Sequence, residues 1–140
     1  MKNLVTLAFC VLLVAQSNAD TPVSNEWMDN FEKQNKYMLE INIEAKKCFE
    51  KVKNKKEAIM CAKMMDRMSH EKLGTPKSSE MENQMKEQEW SSGKQQEFLS
   101  SFEQDISHRK HIAQCAKTVT TAEALEECTA KYDAYNKDRF

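Results

Sequence analysis

CFEKVKNKKEAIMC, residues 48–61, sets two cysteines on either side of a helix stop and a helix start. The stop is Lys53-Asn54. Asn54 followed three residues later by Glu57 is a capping-box pattern that opens a new helix. Cys48 stands six residues before Asn54 and Cys61 seven after it. At 1.5 Å per residue both lie ~9–10 Å from the turn, so their sulfurs meet at one height on adjacent arms. The plan recurs in residues 115–128, CAKTVTTAEALEEC, again with twelve residues between the cysteines and with Thr120 and Glu123 as the capping pair. Phe31 precedes Cys48 by seventeen residues and Phe98 precedes Cys115 by seventeen. The spacing predicts one unit used twice: long helix, capped turn, short helix. The expected fold is all-α, with two disulfide-stapled antiparallel helical hairpins packed as a small four-helix bundle with a short connecting helix.

Upstream of Cys48, the pattern predicts a helix over about 24–53, capped by Ser24 or Asn25 and carrying Glu26 and Asp29 in its opening turn. Trp27, Phe31, Gln34, Met38, Ile41, Ala45, Cys48 and Val52 recur at steps of four and three and form the expected seam, widened by Phe49. Downstream of Asn54, Ala58, Cys61, Met64, Met65 and Met68 share a face, and Gly74 ends the helix with Thr75-Pro76 beyond it. The first hairpin is therefore about 24–73. A polar connector of about 74–92 follows, in which Ser79 and Glu82 predict a cap for a short helix to about Trp90. The second hairpin is about 93–136, opened by Ser92 with Gln95. Its long helix buries Phe98, Leu99, Phe102, Ile106, Ile112, Ala113, Ala116 and Val119, and its short helix turns Ala124, Leu125, Cys128, Tyr132 and Tyr135 inward. Arg109 falls inside the buried arc and calls for a carboxylate partner or a snorkelling path to water.

Residues 1–19 read as a cleaved signal peptide: Lys2, an apolar run from Leu4 to Ala15, then Ser17-Asn18-Ala19. The run is too short for the ~20 residues of a membrane span, and Cys10 leaves with it. Residues 20–140 then form a single helical domain with four cysteines, the even number expected of an exported, disulfide-bonded chain. Glycine and proline occur only twice each, and the sequence is rich in strong helix formers. Without Lys2 the charge is 20 basic against 22 acidic residues, which offers no electrostatic basis for binding nucleic acid or an anionic membrane. None of the nine asparagines sits in a glycosylation sequon. The expected compartment is extracytoplasmic, with a bacterial periplasm favoured and secretion otherwise.

No catalytic signature stands out, so an enzyme is not expected, and neither is a cofactor. The four cysteines lack the close pairs usual in zinc sites. Met64, Met68 and His70 are the candidate soft-metal set, since thioethers select Cu(I), although the same methionines lie on the Cys61 face and suit a core. His108 and His111, with Asp105, read as a solvated face beside Arg109 and Lys110. The expectation is a non-catalytic interaction or binding module with an unknown protein partner or self-association. The alternative is a small-ligand or copper-binding protein using a Met-lined space between the hairpins. Leu39 and Ile43 stand off the first seam with charged neighbours. They are either covered by Met81 or Met85 of the 79–90 segment or form a contact surface.

Overall fold

The computed structural model describes residues 22–136, and their side chains up to residue 131. The signal segment at 1–19 and the inward placement of Tyr132 and Tyr135 lie outside what is described. Among these described residues five helices follow in order: α1 Asn25–Phe49, α2 Lys55–Leu73, α3 Glu80–Glu87, α4 Ser92–Thr118 and α5 Ala122–Asn136. Disulfides Cys48–Cys61 and Cys115–Cys128 close α1–α2 and α4–α5, each with 5.8 Å between Cα atoms, within the ordinary range for such a bond. Each closes a loop worth ~3 kcal/mol on a chain-entropy account.

Local chemistry sets most helix ends. Ser24 Oγ accepts the Trp27 N–H at 3.2 Å and begins α1. That helix stops at Phe49, earlier than the expected 53, because the amides of Lys51 and Val52 turn back to the Cys48 and Phe49 carbonyls in a tightened last turn. Asn54 Oδ1 accepts the Glu57 N–H at 3.0 Å, while Glu57 Oε2 accepts the Lys53 N–H at 2.7 Å. Gly74 takes the left-handed conformation, φ 65°, that ends α2. Two caps sit one residue from their expected places. Ser91, not Ser92, accepts the Lys94 N–H at 3.1 Å, and Thr121, not Thr120, accepts the Ala124 N–H at 3.2 Å.

The hairpins meet through their long helices. α1 runs antiparallel to α4, with Phe49 against Phe98 and Phe102 at one end and Asn35 against Arg109 further along. α2 packs on α1, α3 on α2, and α5 on α4. Each turn is clasped by the other half. Gln95 Nε2 donates to the Phe49 and Val52 carbonyls at 2.7 and 3.0 Å. At the far end Val23 N–H donates to the Thr120 carbonyl at 3.1 Å, and Pro22 bridges Thr121. The starts of α1 and α4, the starts of α2 and α5, and both cysteines of each pair differ by the same 67 positions (92 minus 25, 122 minus 55, 115 minus 48, 128 minus 61).

Phe49 is the centre of the larger core, fully buried with Ala45, Ala58 and Ala62. Around it lie Phe98, Phe102 and Trp90, with ring centroids 5.2, 5.5 and 6.0 Å away. The alanines let α1 and α2 approach, and the aromatic group fills the gap toward α4. Truncating a phenylalanine so enclosed costs ~3–5 kcal/mol. A smaller core at the other end joins Cys115, Ala116 and Leu125 to Met28 and Phe31. The expected seam holds at Ile41, Ala45, Phe49 and Val52 but departs elsewhere: Trp27 remains 45% exposed, whereas Asn35 and Asn42 are buried. The cause is that α1 is gripped by α2 on one side and α4 on the other, so its buried arc is wider than a single seam.

Candidate functional site

α2 presents two faces. Ala58, Cys61 and Ala62 are buried and Met65 packs on the same core. Met60 is 61% exposed, and with Met64 it forms a ridge between two shallow grooves. The first, about 590 Å³, lies between α2 and the chain entering α3, not between the hairpins. Lys63, Arg67 and Lys77 rim it, together with Asp66, His70 and Glu82. The second, about 950 Å³, runs past the Cys48–Cys61 disulfide to Gln95.

The acidic groups of the first groove are turned inward. Asp66 accepts the N–H groups of Met81 and Glu82 at 3.2 and 3.1 Å, and so caps α3 from another helix. This replaces the expected Ser79 cap, whose side chain makes no capping bond. Glu82 is buried rather than reaching back to Ser79, and it meets Lys86 at 2.6 Å and Lys63 at 3.6 Å. The Lys86 hydrogen bond holds the Glu82 carboxyl below the usual range despite its burial, with attraction from Lys63 adding to the effect.

Of the three candidate copper ligands, Met64 and His70 share the groove wall, while Met68 is half-buried and does not line it. His70 Nδ1–H donates to the Thr75 carbonyl at 2.5 Å, which leaves Nε2 as its ligand atom. Leu39 and Ile43 are half-buried. Leu39 lines a narrow cleft of about 190 Å³ between α1 and α4, with Phe31, Ala113 and Ala116. The 79–90 segment does not supply its cover: α3 packs on α2, and Met81 and Met85 join the Phe49 core. Arg109 finds an amide, not a carboxylate. Asn35 Nδ2 donates to the Arg109 carbonyl at 2.9 Å, and the guanidinium returns to Asn35 Oδ1 at 3.5 Å.

His111 departs furthest from its expected solvated position. It is half-buried in the second hairpin, where Nε2–H donates to the Cys128 carbonyl at 2.9 Å and lies 3.3 Å from Cys115 Sγ. His111 Nε2 and the sulfurs of Cys115 and Cys128 all fall within 4.8 Å of one another. The four-residue step from His111 to Cys115 was the available sequence signal, because residues so spaced share a helix face.

No protein-family model matches the chain, and neither does any curated protein or solved structure. Among the described residues no helix is long and apolar enough to cross a membrane.

Proposed function

We propose that the chain is a non-catalytic, exported interaction module and that its contact surface is the Met60–Met64 ridge of α2. The carrying observation is Met60, a large apolar side chain 61% exposed on a disulfide-braced helix. An apolar anchor inside a charged rim is the usual form of a protein contact, and methionine adapts its shape to what it meets. Three cations, Lys63, Arg67 and Lys77, stand on the rim against Asp66, which is held by the α3 amides, and Glu82, which is held by Lys86 and Lys63; Arg67 also meets exposed Glu71 at 3.9 Å. The fitting partner is an acidic protein segment that offers an apolar side chain to the ridge. Export agrees with the two disulfides and with the signal-like residues 1–19. A periplasmic setting is the form of export favoured. The matched 67-residue steps support an internal repeat in which one hairpin plan was used twice.

A photo-crosslinking residue at position 60, in protein expressed in its own compartment, tests this surface against the same residue at exposed Lys56. The expected result is a discrete protein adduct at 60 only, weakened by salt and lost on Met64→Ser. Equal adducts at both positions, or indifference to Met64→Ser, would remove the assignment. The soft-metal alternative draws on Met64 and His70 in one groove. Stoichiometric Cu(I) binding lost in Met64→Leu plus Met68→Leu would favour it instead.

A further inference from the structure

The two disulfides share a framework but not their surroundings. In the first hairpin, the position four residues before Cys48 is Glu44, whose carboxylate is taken by Lys47 at 2.8 Å. In the second, the position four residues before Cys115 is His111, and its imidazole lies against the disulfide. We propose that the second hairpin becomes a divalent-metal site of the zinc class when its disulfide is reduced, held by His111, Cys115 and Cys128.

The geometry supplies three donors around one point. An ion ~2.3 Å from sulfur and ~2.0–2.1 Å from nitrogen in tetrahedral array sets its donors ~3.5–3.8 Å apart. His111 Nε2 and Cys115 Sγ are already 3.3 Å apart, and the whole set fits within 4.8 Å. Once the S–S bond is cut, the sulfurs must separate to the same spacing, and rotation about their Cα–Cβ bonds provides the movement. The fourth position falls to water or an outside ligand.

The reductant is a dithiol. Its thiolate attacks the sulfur of half-buried Cys128, because Cys115 is 1% exposed. Cys115 leaves as a thiolate beside the His111 N–H, which stabilises it. The second thiol of the reductant then resolves the mixed disulfide, so the reagent departs as its own disulfide and the protein holds two thiols. Binding M²⁺ displaces two protons from those thiols. The imidazole keeps its proton but moves it to Nδ1, giving up the bond to the Cys128 carbonyl. The loaded site is neutral, which suits its partial burial. Exchange with an oxidised dithiol, which leaves as the dithiol, reforms the protein disulfide, removes both thiolates and ejects the ion.

Anaerobic titration of the full chain with Co²⁺, reduced by a phosphine, tests the site directly. The reduced protein should bind one ion with thiolate-to-cobalt charge-transfer absorption, and the oxidised protein none. His111→Ala should weaken binding by at least ~10-fold, the loss that even an outer-sphere partner produces. Cys115→Ser plus Cys128→Ser, which leaves the first pair intact, should abolish the absorption. Should reduction unfold the chain, Zn²⁺ must restore its helical circular dichroism in the wild type and not in His111→Ala. Two ions bound per chain, unchanged affinity in His111→Ala, or neither absorption nor regained helix would overturn the proposal.

Discussion

At the scale of single residues, burial and charge separate what α2 and α3 hold from what they offer. Glu82 is buried at the α2–α3 contact yet kept ionised by Lys86 and Lys63. Because its folded pKa is depressed, its contribution is complete above the ordinary glutamate pKa of the unfolded chain and is lost as pH falls through the lower folded value. Melting measured from pH 6 down to pH 2.5 should therefore show an acid-side loss that Glu82→Gln reduces. An identical acid limb in both proteins would mean that the lysines add nothing to folding. Residue identity was readable where one residue acts on its near neighbours: Ser24, Asn54 and Gly74 each punctuate helices at or beside their expected places. Asn35 and Arg109 were not, because their bond joins positions 74 apart. No local pattern marks an amide as the partner of a half-buried arginine.

At the scale of elements, α3 is the piece whose order depends most on another helix. With eight residues it is too short to persist by propensity, and its N-terminal amides are capped by Asp66 of α2. Asp66→Ala should cost ~1–2 kcal/mol, the usual value of a lost cap. It should also speed amide exchange at Met81 and Glu82 well before α1 or α4 loosens. Unchanged protection there would show that Met85 burial alone holds α3. α1 raises a related question through Leu39 and Ile43, which the sequence set apart from the seam because it could not show that α4 grips α1 from the far side. With Leu39 in the α1–α4 cleft, Leu39→Ser plus Ile43→Ser should lower the melting temperature by several degrees and leave the mass in solution unchanged. Near-native melting with a loss of dimer would instead return these residues to the contact surface.

At the scale of the whole molecule, the cysteine spacing carried the architecture, since a turn midway between two cysteines permits few arrangements besides a stapled hairpin. What the spacing could not give is how the hairpins meet. That is decided by Phe49 finding Phe98 and Phe102 across the α1–α4 seam, and by Gln95 and Val23 clasping the opposite turns. The second hairpin's metal chemistry and the bracing of the α2 ridge both require each disulfide to stay within its own hairpin. Non-reducing proteolysis with mass spectrometry of the purified, unreduced protein measures this directly. The expected peptides link Cys48 to Cys61 and Cys115 to Cys128, with none joining the two halves. A bond from Cys48 or Cys61 to Cys115 or Cys128 would contradict that pairing.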